Sequence, residues 1–142
     1  MLNGKTILIT GGTGSFGHHF VDYVLKMIGE QEILQVPNNR YGVPTSAKEF
    51  AKVIRYFIDN DEYGLYHAVC KGSCSRYEFA KAILEYTGNS DKLDVQPVLS
   101  SDNSRPEYCV LDNMMLRLTG IEEPAEWRTA LKEYLEETGG LE

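Results

Sequence analysis

The sequence predicts an α/β fold with a small, mainly parallel sheet and flanking helices, and three observations carry that expectation. Short apolar, β-branched runs alternate with longer segments of helical periodicity. A glycine-rich turn separates the first run from the first helix. The chain of 142 residues, 42% hydrophobic and 25% charged, is long enough for one core and too short for two full domains.

Residues 6–10 (Thr-Ile-Leu-Ile-Thr) end in glycines, the pattern of a buried parallel strand. Phe16, Phe20, Val21, Val24, Leu25 and Ile28 then recur every three or four residues, so residues 15–28 form an amphipathic helix that stops near Gly29. Residues 33–36 are a second short strand. Residues 37–44 (Pro-Asn-Asn-Arg-Tyr-Gly-Val-Pro) gather turn formers and make a loop.

Thr45 or Ser46 caps the next helix, with Glu49 three residues beyond Ser46 as in a capping box. Phe50, Val53, Ile54, Phe57 and Ile58 give it an apolar face that ends near Asn60. Residues 65–69 look strand-like, with His67 packed or hydrogen-bonded on that strand. Ser75 and Glu78 repeat the capping spacing, and Phe79, Ala80, Ile83, Leu84 and Tyr86 form the buried side of a helix stopped at Gly88. Residues 93–99 suit a strand, 100–105 a polar loop, and 113–119 and 124–138 two closing helices.

Composition excludes several classes of function. A net charge of −7 with scattered Lys and Arg disfavours a nucleic-acid partner. No apolar run approaches the ~20 residues that span a bilayer, so no membrane partner is expected and the protein is read as cytoplasmic. Cys70, Cys74 and Cys109 include no CxxC pair, which leaves reduced structural thiols and no metal site as the expectation.

The chemistry-bearing motif is Gly11, Gly12, Thr13, Gly14, Ser15, Phe16 and Gly17, which follows Thr10 in a TGxxGxxG spacing between strand and helix. Gly11 permits the tight exit, Gly14 a close approach of pyrophosphate to the backbone, and Gly17 close packing of helix on sheet. The amino end of the helix attracts phosphate. These residues are the expected site for NADP(H) or NAD(H), and the fold becomes a reduced Rossmann-like one. The alternative is a turn that only joins strand to helix. Arg40 could select the 2′-phosphate of NADP, although an exposed loop cation is the preferred reading.

Residues 1–26, with this motif, Val21 and Leu25, resemble the beginning of UDP-N-acetylglucosamine 4,6-dehydratases. From about Ile33 to residue 138 the chain is similar to the C-terminal part of dTDP-4-dehydrorhamnose reductases. That second resemblance rests on Gly42-Val43-Pro44-Thr45, Gly64-Leu65-Tyr66-His67, Ser75-Arg76-Tyr77-Glu78-Phe79-Ala80, Arg105-Pro106, Leu111-Asp112-Asn113, and Trp127-Arg128 near Leu131. It implies one domain over residues 1–142, with a phosphate-loop β-α unit at 1–29 and a reductase-like region at 30–142.

The resemblance implies an NAD(P)-dependent oxidoreductase of the short-chain dehydrogenase/reductase type, acting on a nucleotide sugar in rhamnose or polysaccharide biosynthesis. The expected reaction is reduction of a 4-keto sugar nucleotide by NADPH. Both families are much longer, and the stretch that supplies their Tyr-x-x-x-Lys pair has no counterpart between the glycine loop and the GxPT segment. Tyr77 and Lys81 satisfy that spacing but align with the substrate region, so they are not taken as catalytic, and the catalytic residues stay unassigned. His18 and His19 are read as helix-surface residues, and Trp127 as core. The alternatives are a non-catalytic nucleotide- or sugar-nucleotide-binding remnant and, more weakly, a 4,6-dehydratase-like enzyme. Unpaired sheet edges make a homodimer the expected way to cover them.

Overall fold

A computed structural model describes residues 15–139. Helix α1 (Ser15–Met27) is followed by strand β1 (Ile33–Pro37), the two-residue β2 (Tyr41–Gly42) and helix α2 (Ala47–Asp59). Then come β3 (Cys74–Ser75), α3 (Arg76–Tyr86), β4 (Asp94–Val98), α4 (Met114–Leu118) and α5 (Trp127–Glu137). None of the described helices is long and apolar enough to cross a membrane.

Strands β1 and β4 pair in parallel from Ile33 opposite Asp94 to Pro37 opposite Val98, with α2 and α3 in the connection between them. Leu34, Val36 and Val95 point into the core, while Ile33, Gln35 and Asp94 alternate outward. That period of two is what a strand buried on one face requires. A second, antiparallel pair sets Tyr41 against Ser75 and Gly42 against Cys74.

Helix α3 is the centre of the packing. Ala80 and Ile83 are fully buried, and the helix touches α1, both sheets and α5. Its apolar side meets Val21 and Val24 of α1, Leu34 and Val95 of the sheet, and Trp127, Leu131 and Leu135 of α5. Phe79 stacks on Phe20 at 5.7 Å and meets the Trp127 ring edge-on at 5.8 Å. A smaller cluster of Val53, Leu116 and Ile121 joins α2 to α4.

Local signals explain the helix ends. Ser75 accepts from the Glu78 N–H and Glu78 accepts from the Ser75 N–H, a complete capping box. Gly88, at φ 68°, terminates the same helix in the left-handed region. The Ser46 hydroxyl likewise accepts from the Glu49 N–H at 3.2 Å, but the Glu49 carboxylate turns away to the N–H of Ala125 at 2.8 Å and to Lys52. The expected box at α2 is thus half formed.

Two further expectations need correction. Residues 65–69 form no strand: Leu65 is 83% exposed, and His67 is exposed. Among the described residues no strand lies alongside; the buried Asn113 side chain accepts from the Val69 N–H at 2.9 Å and donates to its carbonyl at 2.7 Å. An amide side chain there does what a neighbouring strand would do. Removing it in Asn113→Ala leaves both groups of Val69 without that partner and should cost about 2 kcal/mol, measurable by urea unfolding. The last helix also starts later than expected, at Trp127, where the Glu126 carboxylate caps the Arg128 N–H.

Gly72 has φ 84°, and a Cβ there would stand 3.0 Å from Cδ1 of Trp127 and 3.1 Å from Oε1 of Glu126. Gly72→Ala therefore combines backbone strain with a clash against a core side chain. The expected cost is about 1–3 kcal/mol, read as a lower midpoint in thermal unfolding.

Candidate functional site

Because β1 and β4 run in parallel and end together at Pro37 and Val98, residues 38–41 and 99–109 leave from the same carboxyl edge of the sheet. Ligands of open α/β sheets bind outside that edge. The Asn38 N–H donates to the Val98 carbonyl at 2.9 Å, which carries the pairing one step past the strands. Helix α3 begins at the same place, since β2 pairs with β3 and the Arg76 N–H meets the Arg40 carbonyl at 3.3 Å.

Three arginines converge there. Arg40 donates from Nη1 to the carbonyl of Arg105 at 3.0 Å and from Nη2 to that of Asp102. The Arg76 guanidinium is held below its ordinary pKa by burial and then by the positive charges of Arg105 and Arg40. Like charges gathered this closely repel one another, so a bound anion would relieve a repulsion already built into the site. Asp102 and Glu107 are the nearby acids. Asp102 is held low mainly by hydrogen bonds from the Ser104 hydroxyl and N–H, and then by Arg40 and Arg105, while Glu107 accepts from Asn39 at 3.1 Å.

An open cleft of about 500 Å³ adjoins this cluster, lined by residues including Lys71, Ser73, Tyr108, Leu111, Asp112 and Arg117. Its size suits a small ligand. Tyr108 lines the cleft, with its ring 6.2 Å from that of Tyr41, the residue after Arg40. Arg117 is paired with Asp112 at 2.6 Å and with Glu123 at 3.0 Å, which keeps one wall of the cleft near neutral. A more apolar groove of about 330 Å³ has core residues such as Val21, Phe79, Trp127 and Leu131 in its lining. Its cation, Lys48, pairs with Glu133 and Glu137.

Of the residues expected to hold a dinucleotide, Gly11, Gly12, Thr13 and Gly14 lie outside the described residues, and Ser15, Phe16 and Gly17 make the first turn of α1. Arg40 departs from the reading as an exposed loop cation: it is half-buried and closes the 102–105 loop through two carbonyls. Tyr77 and Lys81 do not form a phenol–ammonium pair, since the Lys81 Nζ sits over the Tyr77 ring, 5.5 Å from its centroid. Buried Cys70 and Cys74 are inert core thiols, with Cys74 pushed up to about 12 chiefly by desolvation. Sequence reasoning missed Arg76 and Arg105 as partners of Arg40. The available signal was that basic residues follow two predicted strands, but which strands are neighbours was not visible.

Residues 5–139 match the family described as the RmlD substrate binding domain. The chain is 37% identical over 126 residues to the spore coat polysaccharide biosynthesis protein SpsK of Bacillus subtilis, covering 87% of this chain and 44% of that protein. Among solved structures, dTDP-4-dehydrorhamnose reductase from Bacillus anthracis, in complex with NADP, superposes with a TM-score of 0.77 at 33% identity, over 84% of this chain and 42% of that one. The orthologue from Clostridium acetobutylicum gives 0.78 at 35% identity, over 84% and 44%. The chain thus spans less than half the length of these relatives, and within that span the α/β, Rossmann-like architecture is shared. With a match extending over nearly all of its residues, the chain belongs to the RmlD substrate binding domain family.

Proposed function

We propose that this protein binds a nucleotide sugar by its diphosphate at Arg40, Arg76 and Arg105, and serves the NADPH-linked reduction of a 4-keto sugar nucleotide, as in dTDP-4-dehydrorhamnose reductases. The observation that carries the reading is the convergence of three arginines at the carboxyl edge of the parallel pair, in a chain whose net charge is −7. Arginine suits this task because its planar donors match phosphate oxygens. The adjoining cleft would take the rest of the ligand.

Residues 1–29 are read as the phosphate-loop unit and 30–142 as the sugar-nucleotide region. The likeness of residues 1–26 to 4,6-dehydratases supports a role for Gly11, Gly12, Thr13, Gly14, Ser15, Phe16 and Gly17 in holding the pyrophosphate of NADP(H) or NAD(H). Ser15, Phe16 and Gly17 lie on helix α1, the element that such a loop opens. When bound, the nicotinamide supplies hydride; this chain's residues bind and orient. A second copy pairing along a sheet edge that no other described strand covers would make the homodimer. The protein is read as cytoplasmic, in keeping with its free thiols.

A binding role without catalysis is the second reading. It is favoured by Lys81 lying over the Tyr77 ring face instead of beside the phenol oxygen.

Calorimetric titration separates these. The intact chain should bind dTDP saturably, and Arg40→Ala and Arg105→Ala should each weaken it about 10-fold, the loss of one charge-assisted contact. Unchanged affinity in both variants would reject the arginine site. Binding of NADPH with turnover of a 4-keto sugar nucleotide supports the reductase, and binding of dTDP without turnover supports the second reading.

A further inference from the structure

We propose that Asn39 is a positioning residue, fixing the loop that carries Arg105 so that the arginine cluster is assembled before any ligand arrives. This rests on the anion-binding reading given above and adds a residue that makes no contact with ligand itself.

The geometry is that of a side chain replacing a strand. The Asn39 Oδ1 accepts from the Ser100 N–H at 2.8 Å, and its Nδ2 donates to the Ser100 carbonyl at 3.1 Å and to Glu107 Oε1 at 3.1 Å. Parallel pairing ends at Val98, so Ser100 would otherwise leave the sheet with its backbone groups directed to solvent. One amide thereby grips both ends of an exposed loop that has no helix or strand of its own between residues 100 and 107. Arg40 holds the middle of that loop through the carbonyls of Asp102 and Arg105.

The neighbouring Asn38 does the same for the third arginine. Its Oδ1 accepts from the Ser75 hydroxyl at 2.9 Å, and Ser75 caps the helix whose first residue is Arg76. Two consecutive asparagines thus connect β1 to the two other elements that supply arginines. A brace is needed because the three guanidiniums repel and a loose loop would carry Arg105 away. Ordering the loop in advance spares that cost at binding.

The test is a double-mutant cycle on the intact chain, with dTDP as the probe in calorimetry and Asn39→Ala, Arg105→Ala and the pair as variants. Asn39→Ala should weaken dTDP about 10-fold, yet change affinity less than about 2-fold when Arg105 is already alanine, because its action passes through Arg105. The salt dependence of dTDP binding should flatten equally in Asn39→Ala and Arg105→Ala, a response that general loss of stability would not produce. Should Asn39→Ala fold poorly, Asn39→Asp keeps the acceptor for Ser100 but loses both donations, and the same coupling is expected. Losses that add independently, or wild-type affinity in the asparagine variants while Arg105→Ala is weakened, would overturn the positioning role and leave the arginine site standing. No saturable binding by the wild type would remove the site and the brace together.

Discussion

Trp127→Ala should destabilise the protein by about 3–5 kcal/mol, the cost of deleting a buried tryptophan side chain and leaving part of its volume empty. For a chain of this size that corresponds to a fall of roughly 10 °C in the thermal midpoint. Trp127 is 3% exposed and stands where three parts of the molecule meet. Its ring edge packs on Phe79 of α3 and Arg128 lies 4.5 Å above its face, while its backbone N–H, which the alanine variant keeps, donates to the Lys71 carbonyl at 3.0 Å. Trp127→Phe, which keeps an aromatic surface against Phe79, should lose about half as much in urea unfolding. An equal loss in both would mean that the indole beyond the first ring carries the packing. The segment from Lys71 leads through β3 to Ser75 and Arg76, so the alanine variant should also weaken dTDP binding, by loosening one wall of the site.

The same tryptophan shows which features were readable in the sequence. Helical periodicity marked it as core, and core it is. Helix starts were legible where the partners lie within one turn, as at Ser75 and Glu78. The identical spacing at Ser46 and Glu49 misled, because the acceptor that Glu49 serves is the N–H of Ala125, 76 residues away, and no local pattern announces it. Strands were legible as apolar alternation at 33–36 and 93–99. Their pairing was not, since a parallel neighbour about 60 residues distant leaves no trace in either run. Residues 65–69 show the converse, a strand-like run whose partner is a side chain.

The site divides along the same line. Gly11–Gly17 is a contiguous motif, so its chemistry could be read directly from spacing. Arg40, Arg76 and Arg105 belong to three loops and helix ends that only the sheet brings together, and each alone looks like an exposed cation. The Gly42-Val43-Pro44-Thr45 segment, useful as a mark of resemblance, turns out to be structural: the Thr45 hydroxyl accepts from the Cys70 N–H at 3.1 Å and donates to the Val43 carbonyl at 3.3 Å. It fixes the antiparallel pair on which Arg76 is mounted.

Glu49→Ala is expected to cost about 2–3 kcal/mol at neutral pH, because it removes a buried charged acceptor from the half-buried N–H of Ala125. The carboxylate is 3% exposed, and its environment sets two effects against each other. Burial alone would raise its pKa, but hydrogen bonds from the Lys52 ammonium and the Ala125 N–H outweigh burial and leave it below the ordinary glutamate range. A folded-state value below the unfolded one means that the carboxylate stabilises the fold above the ordinary value, about 4.3, and that this contribution is lost as pH falls through the folded value. Glu49→Gln keeps an acceptor for Ala125 but gives up the charge, so it should cost about half as much as alanine at pH 7. Its deficit against wild type should shrink towards zero in acid, because the protonated wild-type side chain then resembles the amide. A deficit that stays constant from pH 7 to pH 3 in urea unfolding would show that the charge contributes nothing and that Glu49 acts only as a neutral acceptor. The carboxylate joins α2 to the turn before α5, and through Trp127 to the framework of the arginine site. The acid loss of stability should therefore be accompanied by weaker dTDP binding in wild type than in Glu49→Gln, when each is compared with its own affinity at pH 7.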